Sequence, residues 1–163
     1  MTISNVFVNG LNESRTDGII SLWSEAFDDE RDFIETFLRG VPSETTAVLC
    51  EKDGQVTGMM FLIPAEVNGF DCKLVYALAT AKDFRKQGIA TKLLESASET
   101  TPTFLAPEKA SLISFYEKRG YKVTSKGIED SVNFVEEAVE NLIRFNHLKC
   151  KLKPFGMIKG LEL

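Results

Sequence analysis

Histidine is almost absent from this chain: 163 residues hold one, His147. A lone imidazole has no second one beside it, and no Gly-x-Ser-x-Gly or Cys-x-x-Cys segment accompanies it. That argues against a triad hydrolase or a zinc enzyme, and no metal is expected. Near the end of a helical pattern, His147 reads as a surface or capping residue. Cysteine is also sparse. Cys50, Cys72 and Cys150 are an odd number at unpatterned spacing, which argues against a disulfide framework and fits a reducing, cytoplasmic setting. No Gly-x-x-x-x-Gly-Lys-Ser/Thr occurs, so a nucleotide-hydrolysing loop is not expected. No apolar run approaches the roughly 20 residues that span a bilayer. The first residues lack a basic stretch followed by an apolar one, so neither a membrane partner nor a signal peptide is expected. A basic balance is missing too. The net charge of -5 leaves no electrostatic footprint for nucleic acid.

What remains is ordinary for a globular chain, with 44% hydrophobic and 26% charged residues. Its length suits one domain over 1–163 with a substantial core. Ile3, Val6 and Val8 mark a first strand over 3–8. Ile19, Ile20, Trp23, Ala26 and Phe27 make one apolar face of a helix over Ser14–Phe27. Phe33, Ile34, Phe37 and Leu38 do the same over Asp29–Leu38, with acids in the first turn. The period then changes. Strands over Thr46–Lys52, Gln55–Val67 and Cys72–Thr80 are separated by Asp53-Gly54 and Asn68-Gly69, dipeptides that tolerate positive φ in a hairpin turn. An antiparallel meander follows.

Downstream, Ile89, Leu93, Leu94 and Ala97 give the inner face of a helix over Gly88–Glu99, before a short strand at Thr103–Ala106. A helix over Ser111–Arg119 is closed by Gly120, and Tyr121–Ser125 is a strand. Val132, Val135, Val139, Leu142 and Ile143 predict a helix over Ser131–Asn146, and Phe155–Leu161 a last strand. The fold class is therefore α+β: a mixed, mostly antiparallel twisted sheet of six or seven strands flanked by helices, with a helical insertion before the last strand.

The most informative segment is Leu78-Ala79-Thr80-Ala81-Lys82-Asp83-Phe84-Arg85-Lys86-Gln87-Gly88-Ile89-Ala90-Thr91, an apolar strand running through a basic turn into a helix. Arg85-x-x-Gly88-x-Ala90 places small residues where the helix begins, so its backbone N–H groups can approach a diphosphate. Those first N–H groups have no helical partner and carry partial positive charge. Lys82, Arg85, Lys86 and Lys92 surround them against Asp83 alone. Such a cluster on an acidic chain points to a specific anionic ligand.

This segment resembles the acyl-coenzyme A motif of the GNAT superfamily of N-acetyltransferases, in which Arg or Gln, two residues, Gly, one residue, and Gly or Ala lie between the fourth strand and third helix. The matching positions are Arg85, Gly88 and Ala90. Ser114-Phe115-Tyr116-Glu117-Lys118-Arg119-Gly120-Tyr121 resembles the family's Tyr-x-x-x-Gly-aromatic segment. With the order of elements, the resemblance covers about residues 3–126. It implies a GNAT-like fold and an acetyl-CoA-dependent N-acetyltransferase acting on a primary amine of a small molecule or protein. Main-chain groups of Leu78, Ala79 and Thr80 would pair with the pantetheine arm. Amides of Arg85, Lys86, Gln87, Gly88, Ile89, Ala90 and Thr91 would cradle the diphosphate, and Lys82, Lys86 or Lys92 would reach the ribose phosphate. Tyr116 would protonate the departing thiolate, while a backbone N–H on the splayed strand would stabilise the oxyanion. Phe115 is expected to be the core residue of the adjacent pair.

Two positions depart from the family. Lys109 stands where an Asn is frequent, and Cys72–Thr80 lacks the usual general-base Glu. Candidates for the base are Glu25, Asp28, Asp29 or a water chain. Tyr76 is a further candidate for lining the acceptor site, against a packing role. The acids between Glu25 and Glu35 suggest a rim attractive to cationic amines, or simply a solvated helix start. The Ser131–Asn146 segment is expected to cover the acceptor side or form a homodimer contact. The departures support an alternative, a catalytically inactive sensor of acyl-CoA.

Overall fold

Strand signals in the first half of the chain are realised almost residue for residue. A computed structural model describes residues 1–67, 69–97, 101–123, 132–134 and 156–161. In it β1 spans Thr2–Phe7, β2 Thr46–Lys52 and β3 Gln55–Val67. Asp53 and Gly54 have φ of 51° and 78°, the left-handed values a two-residue hairpin turn requires. Next come β4 (Phe70–Thr80), β5 (Thr103–Leu105), β6 (Lys122–Val123), β7 (Val132–Phe134) and β8 (Met157–Lys159). Four α-helices accompany them among the described residues: α1 (Glu13–Phe27), α2 (Arg31–Gly40), α3 (Ile89–Ala97) and α4 (Ile113–Glu117). Hydrogen bonds order the strands β1-β2-β3-β4-β5-β8-β6, and β7 pairs with β3 off this path. The mixed, mostly antiparallel α+β architecture is the expected one. No helix among the described residues is long and apolar enough to cross a membrane.

One expectation needs correction. Within the helix predicted over Ser131–Asn146, residues Val132–Phe134 form β7, with Val132 opposite Val67 and Phe134 opposite Ala65. Pairing along β3 competes successfully with the 3.6-residue pattern there, because alternating Val-Asn-Phe also suits a strand. The rest of that helix, and His147, lie outside the described residues, as does Cys150. The last strand is shorter than expected and ends at Lys159, just before Gly160, whose φ is 87°.

The chain divides into two compact units, Met1–Ile63 with Val75–Ala97 and Pro64–Leu74 with Ser98–Leu163. In the first, Ala47–Cys50 and Met59–Ile63 are buried without alternation, the pattern of strands covered on both faces. Asn12 starts α1 by accepting the Arg15 N–H at 2.8 Å. Asp28 ends it with φ of 56°. The buried face of α1 includes Ile19, Ile20 and Trp23; Ile34 and Phe37 are the buried residues of α2. Trp23 gathers Phe27, Phe33, Phe37, Phe61 and Tyr76, at ring separations of 5.0 to 6.5 Å.

A bulge decides which face each helix covers. Cys50 pairs with Gly58 but Glu51 with Val56, leaving Thr57 as the extra residue. Val56 and Gly58 therefore meet different helices. Val56 packs on Gly18 of α1, and a Cβ at Gly58 would lie 2.4 Å from Ile89 Cγ2 and 3.3 Å from Leu93 Cδ1 of α3. The bare Gly58 lets α3 approach β3 directly. Gly58→Ala should overpack the stiff Ile89 branch and cost about 1–3 kcal/mol. Thermal melting should show it as a Tm lower by roughly 3–10 °C.

In the second unit, Lys73 and Leu74 of β4 pair in parallel with Thr103 and Phe104. Strand β8 then joins β5 and β6 by antiparallel pairing. Phe104, Leu105, Tyr121, Met157 and Ile158 form its core.

Candidate active site

The basic turn begins where the bulge anchors it. The Thr57 carbonyl accepts the Ala81 N–H at 2.8 Å, and the Thr57 hydroxyl donates to the Cys50 carbonyl at 3.1 Å. Beyond Ala81, Lys82–Phe84 make a 3-10 turn. Lys86 and Gly88 then take φ of 64° and 78°. A left-handed lysine stores strain of order 1 kcal/mol. The first helical bond of α3 joins the Lys92 N–H to the Gly88 carbonyl at 3.1 Å. Ahead of it, the amides of Gly88, Ile89 and Ala90 donate to no group among the described residues. Beyond its chain neighbours, nothing among the described residues lies within 4 Å of where a Gly88 Cβ would stand. Lys82, Arg85, Lys86 and Lys92 are all exposed around this turn. Arg85 Nε folds back 3.4 Å from the Thr80 carbonyl. The turn thus has the uncapped N–H groups, the room and the charge that an anion needs.

Upstream on the same strand, Leu78 and Thr80 are half-buried and Ala79 is buried. Ala77 has φ of 54° in the middle of β4. A left-handed alanine interrupts the regular pleat and re-aims the peptide groups around it. No sequence pattern announces it, since alanine carries no preference for that conformation.

The candidate bases are placed differently from one another. Glu25 Oε2 accepts the Lys82 N–H at 3.1 Å, tying the end of α1 to the basic turn. Asp29 Oδ2 accepts the Trp23 indole N–H at 2.9 Å. Both therefore have structural partners, while Asp28 caps α1 and is exposed. Arg31 bonds Glu35 at 2.7 Å and Asp17 at 3.3 Å, so the acidic stretch is partly neutralised. Tyr76 is 7% exposed and stacks on Phe37 at 5.2 Å, a packing residue of the aromatic core.

In the second unit the adjacent aromatics reverse the expected order. Tyr116 is 8% exposed, whereas Phe115 is half-buried beneath the Arg119 guanidinium, 3.6 Å from its ring centre. The 3-10 turn at Ala110–Leu112, which leads into α4, turns three residues per round and rotates the following faces. Among the described residues the side-chain hydrogen bonds near α4 are those of Thr103 with Tyr121 and of Arg119 with Phe115, and the Tyr116 hydroxyl takes part in neither. Burial pushes its pKa up to about 12, helped by Tyr121 and Glu108 and opposed by Arg119. Lys109 precedes the 3-10 turn and is exposed. Cys72 and Cys50 are free and buried; desolvation raises the Cys72 thiol to about 12, leaving it protonated and unreactive. Among the described residues no cluster of His, Cys, Asp or Glu could hold a metal ion.

The family described as acetyltransferase (GNAT) domain matches residues 8–124. No curated protein matches. An acyl-CoA N-acyltransferase from Pseudomonas aeruginosa shares the fold with a TM-score of 0.67 at 16% identity, covering 98% of this chain and 100% of that one. ElaA of Escherichia coli gives 0.66 at 12%, covering 98% and 99%. An aminoglycoside 6'-N-acetyltransferase complexed with coenzyme A gives 0.66 at 18%, covering 98% and 96%. Identities this low carry the fold alone. The family match spans most of the chain and contains both the basic turn and Tyr116: this protein belongs to the GNAT acetyltransferase family.

Proposed function

We propose that the protein is an acetyl-CoA-dependent N-acetyltransferase, residues 1–163 acting as one cytoplasmic domain, that passes acetyl directly to a primary amine of a small molecule or protein. The observation that carries this reading is the turn itself. The amides of Gly88, Ile89 and Ala90 donate to no group among the described residues, and four exposed cations stand around them. These residues fit a diphosphate, and coenzyme A carries one. Arg85, Lys86, Gln87, Gly88, Ile89, Ala90 and Thr91 would supply amides to it, Lys82, Lys86 or Lys92 a contact to the ribose phosphate, and main-chain groups of Leu78, Ala79 and Thr80 pairs for the pantetheine amides.

When bound, the cosubstrate supplies an acyl group activated as a thioester. The amine must reach the carbonyl without its extra proton, because an ammonium has no lone pair. As the C–N bond forms and the C–S bond breaks, Tyr116 is assigned to give its hydroxyl proton to the leaving sulfur. The proton released by the attacking nitrogen passes through water and restores the phenol. With Glu25 and Asp29 engaged elsewhere, Asp28 or a water chain is left to carry that proton.

Calorimetry with acetyl-CoA, followed by thiol release across a panel of primary amines, tests the reading. The expected result is heat on titration, binding that weakens with salt, no displacement by ATP, and thiol release with at least one amine. Absence of heat at millimolar acetyl-CoA would overturn it. The engagement of Glu25 and Asp29 favours a second reading, an acyl-CoA sensor without catalysis. Saturable binding with no thiol release across the panel selects that one.

A further inference from the structure

We propose that the buried Thr103–Tyr121 hydroxyl pair is a positioning device for Tyr116, fixing the angle of its ring and so the direction of its hydroxyl. The inference rests on the reading of Tyr116 as the proton donor.

No side-chain hydrogen bond of the Tyr116 hydroxyl occurs among the described residues, so the packing of its ring bears on the hydroxyl's direction. Two aromatic neighbours do that packing. Phe115 meets Tyr116 edge-on with centroids 5.2 Å apart, and Tyr121 meets it at 5.9 Å and 74°. Phe115 is itself clamped: Arg119 covers its ring and donates to its carbonyl at 2.6 Å. Tyr121 is clamped at both ends. Its N–H donates to the Tyr116 carbonyl at 3.2 Å, and its hydroxyl lies 2.7 Å from the Thr103 hydroxyl.

Thr103 is wholly buried in β5 and Tyr121 is 2% exposed, so this bond has no competing water. A Val–Phe pair of the same shape would give similar net stability, because satisfying two buried hydroxyls mainly offsets their desolvation. What the apolar pair would lack is a fixed angle. Aromatic χ2 torsions are soft, and a phenyl ring without a tether can slide in its slot. The hydroxyl bond removes that freedom from Tyr121, and edge-to-face contact passes the restraint to Tyr116. Tyr121 is thus a positioning residue; it need touch no reacting atom.

The test compares steady-state rates of the full chain with acetyl-CoA and a reactive amine for Thr103→Val with Tyr121→Phe, Tyr121→Phe alone, Thr103→Val alone and Thr103→Ser. Each is measured with Tyr116 present and in a Tyr116→Phe background. The double apolar variant leaves no orphan hydroxyl, so it should melt close to the parent protein and keep its KM for acetyl-CoA. Its kcat should fall at least about tenfold, short of the full value of a general acid. Thr103→Ser, which retains the partner oxygen, should recover most of the kcat lost in Thr103→Val. In the Tyr116→Phe background the double variant should cost nothing further, since coupled groups are non-additive. Undiminished kcat in the double variant, or an equal loss in both backgrounds, overturns the positioning role. If Tyr116→Phe alone leaves kcat unchanged, the proton-donor reading fails and takes this inference with it. A slow Tyr116→Phe beside a fast double variant overturns this inference alone.

Discussion

Tyr116→Phe is expected to lower kcat by about 10²–10⁴-fold, the usual worth of a positioned general acid, while calorimetry shows an unchanged Kd for acetyl-CoA. The expulsion of a thiolate, not the binding of its carrier, is what a phenol assists. The ring is buried and its packing on Phe115 and Tyr121 needs no hydroxyl, so the variant keeps the shape and loses the proton. The pH dependence follows from the same burial. The phenol pKa is raised from 10.0 to about 12, first by desolvation. A group bound more tightly to its proton in the folded state contributes stability that is complete below its unfolded value. Here that contribution persists below pH 10.0 and is lost as pH rises through about 12. The rate should therefore climb with pH as the amine loses its proton, with no falling limb from Tyr116 below pH 10.0. A descending limb that vanishes in Tyr116→Phe, centred in the neutral range, would contradict the assignment.

Parts of this molecule are legible from residue order because local chemistry and global pairing agree. Asp53-Gly54 states a hairpin, and β2 and β3 begin and end where that turn requires. Gly88 states a helix start, and α3 begins at the next residue, Ile89. The reverse holds where a tertiary neighbour decides. Thr57 looks like any strand threonine, yet it is the bulged residue whose carbonyl anchors the basic turn. Its role is set by the register of β2 against β3, which no single strand encodes. Val132–Phe134 fit either period, and the free edge of β3 selects the strand. Phe115 and Tyr116 are adjacent, so which ring turns inward depends on the 3-10 turn before them.

The site follows the same division. Uncapped amides and exposed cations are properties of a local segment, and Arg85-x-x-Gly88-x-Ala90 reports them directly. The carboxylates are different. Glu25, Asp28 and Asp29 look equivalent in a row of acids, but Asp29 is drawn to the Trp23 indole and Glu25 to the Lys82 amide. These assignments come from packing α1 on the sheet beside the turn. The left-handed Ala77 in β4 belongs to this class as well.

Gly88→Ala isolates the backbone contribution to cosubstrate binding. In most loops such a substitution confounds strain with collision, but here an added methyl would meet no atom of the described residues within 4 Å beyond its own chain neighbours. The whole effect is then the cost of holding an L-residue at φ of 78°, about 1–2 kcal/mol. The unliganded turn can relax and shed much of that strain, because Arg85–Gly88 are exposed. Binding must restore the left-handed geometry, so the cost falls on affinity. Kd for acetyl-CoA should rise roughly 5- to 30-fold, with kcat at saturation nearly unchanged and Tm without ligand moving little. The expected signature is a KM effect, opposite to the kcat effect of Tyr116→Phe. An unchanged Kd would mean that the diphosphate does not dock on the amides of α3.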